Sequence, residues 1–120
     1  MDTNLLNKEL LTVIESFPDQ DLWTDLKRTR SRASEMREKI MGKLPEIKGV
    51  NSFDQLISRE TETDVLVRVY SPENQTEVLP ALLWIHGGGY CFGSMESDDY
   101  VVREMVKSVG CVIVSVDYRL

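Results

Sequence analysis

Apolar residues recur at spacings of three and four in the first part of the chain, and the period then changes. Leu6, Leu10, Val13, Ile14 and Phe17 fall on one face of a helix that Pro18 stops. Asp19 or Asp21 can cap a second, longer helix, on which Leu22, Leu26, Thr29, Ala33, Met36 and Ile40 form one stripe. Gly42 and Pro45 mark its end. A helix pair this short buries little by itself, so the stripe needs a surface to lie on.

Beyond Pro45 the pattern is that of strands. Residues 53–59 read as a weak strand, and Val65, Val67 and Val69 alternate with Leu66, Arg68 and Tyr70 in a half-buried strand that ends at Pro72. The two lie close enough in sequence to pair as an antiparallel hairpin. Residues 81–85 are a continuous apolar run of strand length, expected to be covered on both faces. Ser97 is the expected N-cap of a helix over 98–109, with Val101, Val102, Met105, Val106 and Val109 on its apolar face and Gly110 as its C-cap. Cys111 to Val116 is a second apolar strand. Strand, helix and strand make one βαβ unit, whose crossover is right-handed and joins parallel strands. The fold class is therefore α/β.

Composition narrows the picture. A chain of 120 residues is one small domain or a piece of a larger one, and 42% apolar with 28% charged residues excludes a disordered or collagen-like chain. The longest apolar stretch, Leu79 to Ile85, contains Pro80 and falls far short of the roughly 20 residues that cross a membrane. The opening Met-Asp-Thr-Asn lacks the basic start of a secretory signal, so the expected compartment is the cytoplasm. Cys91 and Cys111 are too few for a disulfide scaffold and form no zinc pattern. A net charge of −6 argues against nucleic acid as a partner. The basic run of Lys27, Arg28, Arg30, Arg32, Arg37, Lys39 and Lys43 lies on the second helix and reads as a solvated face.

The chemistry concentrates in His86-Gly87-Gly88-Gly89-Tyr90-Cys91-Phe92-Gly93, directly after a strand. Consecutive glycines cost chain entropy, so a backbone requirement should explain them: unusual dihedrals, or N–H groups presented without side chains in the way. Such groups can receive an anion or a developing oxyanion. The next helix begins several residues later, and neither Gly-Lys-Ser/Thr nor G-x-G-x-x-G opening a helix is present, so phosphate and dinucleotide loops are excluded. Gly89-Tyr90-Cys91-Phe92-Gly93 also fits a G-x-C-x-G nucleophile spacing, with His86 the one histidine able to serve as base. Those residues already belong to the glycine loop, and a nucleophile elbow runs at once into a helix, so Cys91 and Cys111 are read as apolar fillers. Asp117, at a strand end, is read as an ion-pair or turn residue rather than a catalytic acid. Trp23 is read as a packing residue.

The stretch Trp84-Ile85-His86-Gly87-Gly88-Gly89-Tyr90 with Gly93 resembles the H-G-G-G oxyanion loop of the hormone-sensitive-lipase-like group of α/β-hydrolases, esterases and lipases. Residues 67–72 (Val-Arg-Val-Tyr-Ser-Pro) resemble that family's second strand, and residues 114–120 (Val-Ser-Val-Asp-Tyr-Arg-Leu) resemble the strand after the loop's helix. The helical N-terminus resembles the cap over the active site. The resemblance implies a cap or lid segment over 1–45 and, over 46–120, the N-terminal part of an α/β-hydrolase core: an antiparallel hairpin plus one βαβ unit. It implies that the amides of Gly88 and Gly89 line an oxyanion hole, that Gly87 shapes the turn and that His86 braces the loop. The family's nucleophile is a serine in G-x-S-x-G, absent here, and the single histidine already sits in the loop. The resemblance therefore describes an N-terminal fragment of a serine carboxylic-ester hydrolase, inactive alone, with a small-molecule ester as the complete protein's substrate and no cofactor or metal. The alternative is a non-catalytic ligand-binding or interaction relative, since plant gibberellin receptors resemble the same family. The implied strand order puts the last strand between the hairpin and strand 81–85, leaving an open edge that needs a missing C-terminal part or self-association.

Overall fold

Four strands and two long helices follow one another in the computed structural model, which describes residues 6–11, 24–60 and 63–120. The order is α1 (Leu26–Met41), β1 (Val50–Ile57), β2 (Val65–Pro72), β3 (Ala81–Ile85), α2 (Met95–Val109) and β4 (Val112–Asp117). Of the first expected helix, residues 8–11 are helical, and Val13, Ile14, Phe17 and Pro18 lie outside the described residues. So do Asp19, Asp21, Leu22 and Trp23.

The strands form one sheet of order β1-β2-β4-β3. The hairpin is antiparallel, pairing Val50 with Pro72 and Ile57 with Val65, so β1 starts earlier than the 53–59 run suggests. β2 pairs antiparallel with β4, and β3 runs parallel to β4 as the βαβ reading requires. The last strand thus lies between the hairpin and β3, with β3 at the open edge.

Helix α2 opens one turn earlier than residues 98–109 suggest. Ser94, not Ser97, is its N-cap: Ser97 N donates to Ser94 Oγ (3.3 Å) and Ser94 N donates to Ser97 Oγ (3.0 Å), a reciprocal capping box. Ser97 supplies the far half of a box whose third position is more often Glu or Gln. Gly110 closes the helix in a left-handed conformation (φ 71°), its N–H donating to Val106 O.

The core lies between α2 and one face of the sheet. Tyr70, Ile113, Val102 and Val106 are fully buried there, joined by Val50 and Cys111. Val101 and Val109, expected on the apolar face, point outward instead. Polar groups at the margin are paired. Tyr70 OH donates to Asp99 Oδ1 (2.8 Å), and Arg103 bonds Asp99 Oδ2 (2.8 Å), the Val50 carbonyl (3.1 Å) and Ser52 Oγ (2.7 Å). Arg68 grips the Asp54 carboxylate with two N–H groups, which holds that carboxyl below its ordinary range. Burial, reinforced by the Asp99 hydrogen bond and charge, pushes the Tyr70 phenol well above its ordinary 10.0.

The opposite face is bare among the described residues. Pairing register places Phe53, Ile57, Leu83 and Ile85 on it together with Val114 and Val116. Phe53 (58%), Leu83 (61%) and Ile85 (64%) are exposed. The expectation that residues 81–85 are covered on both faces is therefore corrected: four of the five residues are exposed, β3 meets α2 through Trp84 and Asp98, and among the described residues its outer edge carries no strand.

Ile113→Ala should cost about 2–5 kcal/mol of stability, because it leaves a cavity under α2. Leu83→Ala on the bare face should cost less than about 1 kcal/mol. Urea midpoints of the two variants should differ accordingly, and equal losses would contradict the one-sided core. An unfolded Tyr70 ionises near 10.0, whereas the folded one keeps its proton to higher pH. Its contribution to stability is therefore full below pH 10 and declines as pH rises beyond it. Tyr70→Phe should flatten that alkaline decline in a pH series of thermal melts.

Candidate functional site

The loop after β3 is shaped by two positions that admit no β-carbon. Gly88 has φ 129°, and a β-carbon there would collide with the Phe92 carbonyl. Gly93 has φ 92°, and a β-carbon there would strike the Gly87 carbonyl and the His86 ring. Between them, Gly88 O accepts from Cys91 N and Phe92 N (both 3.0 Å), so residues 88–92 close into a tight turn. Gly89 (φ 58°) and Tyr90 (φ 60°) are also left-handed, which for the tyrosine stores strain. Gly87 is different, since a β-carbon there meets nothing within 4 Å. Its part in the loop is played by its carbonyl.

That carbonyl lies 2.9 Å from His86 Nδ1. A carbonyl only accepts, so Nδ1 is the donor in this contact. The ring is 3% exposed, and Nε2 meets no protein donor. Tyr118, just beyond β4, stacks on the imidazole at 4.1 Å between ring centres and donates its hydroxyl to the His86 carbonyl (2.7 Å). Tyr90 packs edge-on against Tyr118. His86 is thus held from the ring face, the ring edge and the main chain.

The turn leaves Gly88 and Gly89 at the surface. Among the described residues neither N–H donates to a protein acceptor. Adjacent N–H groups without partners can receive negative charge. Two clefts flank the loop. One, of about 520 Å³, lies against α1 and is lined by Arg30, Arg37, Phe92, Gly93 and Leu120. The other, of about 570 Å³, lies on the bare face between Leu83, Ile85, Tyr90 and Tyr118. A larger cleft beside Met41, Ile47 and Tyr100 includes no loop residue.

Two readings from the sequence change here, those of Asp117 and the basic run, whereas the rejection of Cys91 as a nucleophile does not. Cys91 is a free, half-buried thiol. Its proposed base is committed to Gly87 and covered by Tyr118, so a Cys–His pair has no support. Asp117 makes neither the expected ion pair nor the turn hydrogen bond among the described residues; Tyr118 is the residue of that turn that braces the site. The basic run is not wholly a solvated face, because Arg30 Nε donates to Cys91 O (2.7 Å) and Arg37 donates to Ser94 Oγ (3.1 Å). The seven-residue spacing of these arginines was the available signal. Among the described residues no acid, histidine or cysteine cluster could hold a metal, and no helix is long and apolar enough to cross a membrane.

Residues 82–120 match the sequence model of a family described by its alpha/beta hydrolase fold. Over 58 residues the chain is 41% identical to carboxylesterase NlhH of Mycobacterium tuberculosis, a segment covering 48% of this chain and 18% of that protein. Over 57 residues it is 33% identical to an acetyl esterase of Salmonella schwarzengrund, covering 48% of this chain and 17% of that one. A bacterial heroin esterase superposes with a TM-score of 0.80 and 28% identity, covering 100% of this chain and 38% of its own. A Pyrobaculum calidifontis esterase superposes with a TM-score of 0.69 and 33% identity, covering 96% and 36%. The matches thus span under a fifth of these curated relatives and little more than a third of these structural ones.

Gly93→Ala should displace the His86 ring and cost about 1–3 kcal/mol, whereas Gly87→Ala should be near neutral. Thermal melts of the two variants test the contrast. Tyr118→Phe keeps the stack and loses the bond to the His86 carbonyl, so it should cost about 1 kcal/mol in the same assay.

Proposed function

We propose that the chain is the N-terminal part of a serine carboxylic-ester hydrolase of the α/β-hydrolase fold, in its hormone-sensitive-lipase-like group, a reading supported by the match of residues 82–120 to that fold's family model and by the likeness to esterases. The observation that carries this reading is the pair of adjacent amides at the exposed Gly88 and Gly89, without acceptors among the described residues. In an ester hydrolase these receive the carbonyl oxygen as it gains charge on attack. The two donors are set in place before the reaction, so they stabilise charge that exists only in the transition state and need no reorganisation to do so. His86 braces the loop by donating a hydrogen bond from Nδ1 to the Gly87 carbonyl.

The attacking serine and its acid and base partners come from outside these 120 residues. The chain contains no G-x-S-x-G, and its one histidine is enclosed by the loop. The bare face around Phe53, Leu83 and Ile85 and the open edge of β3 receive the rest of the fold. The substrate class is a small carboxylic ester, in keeping with the carboxylesterase and acetyl esterase relatives. The segment 1–45 acts as a cap or lid.

The purified 120-residue chain should leave a short p-nitrophenyl ester unhydrolysed above buffer. A protein that supplies the serine, acid and histidine behind Leu120 should turn it over. In that protein Gly88→Ala, which forces the loop to shift, should lower kcat about 10²–10³-fold with little change in KM. Turnover by residues 1–120 alone that disappears in Cys91→Ala would defeat this division of labour.

A further inference from the structure

Helix α1 lies against the glycine loop, yet its apolar stripe is not what holds it there. No residue of α1 is buried, and Met36 (66%) and Ile40 (51%) are exposed. The side chains that reach the loop are Arg30 and Arg37. Seven residues make nearly two helical turns, so both lie on one face, about 10 Å apart along the axis. Their acceptors, Cys91 O and Ser94 Oγ, lie three residues apart where the loop runs into α2. The helix thus meets the loop at two points.

Each point is structurally sensitive. Cys91 supplies one of the two amides that close the turn on Gly88 O, and Arg30 holds the carbonyl of that same residue. Ser94 is the N-cap of α2, and Arg37 donates to the hydroxyl that accepts from Ser97 N. Among the described residues neither arginine is paired with a carboxylate. Hydrogen bonds from a charged donor are stronger than neutral ones, so this contact resists loosening.

We propose that Arg30 and Arg37 form a two-point clasp that holds the glycine loop in its closed-turn conformation and ties that conformation to the position of α1. They are positioning residues: they act on the Gly88 and Gly89 amides through Cys91 and Ser94. The catalytic meaning of the clasp rests on the oxyanion reading given above; its existence does not.

Amide hydrogen exchange followed by NMR in the 120-residue chain tests the clasp directly. Arg30→Ala should speed exchange at Cys91 and Phe92 at least about tenfold while leaving Ile113 and Val114 in the sheet unchanged. Arg30→Lys, which restores a donor, should recover part of the protection. Unchanged rates at Cys91 and Phe92, or a rise shared equally by the sheet, would overturn the clasp. A second readout needs no variant: in the unaltered protein the Arg30 Nε–H should exchange several-fold more slowly than those of the exposed Arg28 and Arg32, and equal rates would overturn it too. If the oxyanion reading fails, with no esterase activity in a completed protein, this exchange pattern still stands. If the clasp fails, the activity test is unaffected.

Discussion

Gly88 and Gly93 are closed to any β-carbon, one by the Phe92 carbonyl and the other by the His86 ring, and this double exclusion organises the end of the sheet. A chain forced so near to itself satisfies the Gly88 carbonyl internally, through the Cys91 and Phe92 amides. The N–H groups of Gly88 and Gly89 have no acceptor among the described residues. The glycines spend conformational entropy to produce a surface of main-chain donors that no side chain obstructs. His86 stiffens this surface, because its Nδ1 is hydrogen-bonded to the Gly87 carbonyl and its ring lies flat against Tyr118.

That bracing depends on strand order. Tyr118 can stack on His86 because β4 runs parallel beside β3 and both strands end at the same level. The parallel pairing in turn requires α2 to cross over one face, and this is where the described core is found. The same arrangement accounts for the molecule's asymmetry. One helix can cover one face, and the other face keeps Phe53, Ile57, Leu83 and Ile85 in solvent. An apolar face of this kind, beside a strand with unpaired backbone groups, fits a sheet that continues into further elements.

The helix before the sheet approaches with its polar side. Arg30 and Arg37 bond to a carbonyl and a hydroxyl, while Met36 and Ile40 face away. Amphipathic patterning ordinarily turns the apolar stripe inward. Here the loop offers acceptors rather than apolar surface, and guanidinium groups are the complementary partner.

The local information in the chain was enough for the α/β class, the hairpin, the βαβ unit and the glycine loop, because each rests on a short-range rule. Alternation marked β2, a continuous apolar run marked β3 and β4, and three successive glycines after a strand marked a site built from backbone. The end of α2 at Gly110 was legible for the same reason, whereas its start was shifted by one turn because a serine replaces the usual third residue of the capping box. What tertiary structure decided was everything that depends on which distant groups meet. The stacking of Tyr118 on His86, the reach of Arg30 to Cys91 across 61 positions and the exposure of β3 carry no local signature. Periodicity records which residues share a face. Whether another element covers that face, and whether its polar or its apolar side does so, is set by the acceptors and surfaces that the folded chain brings alongside.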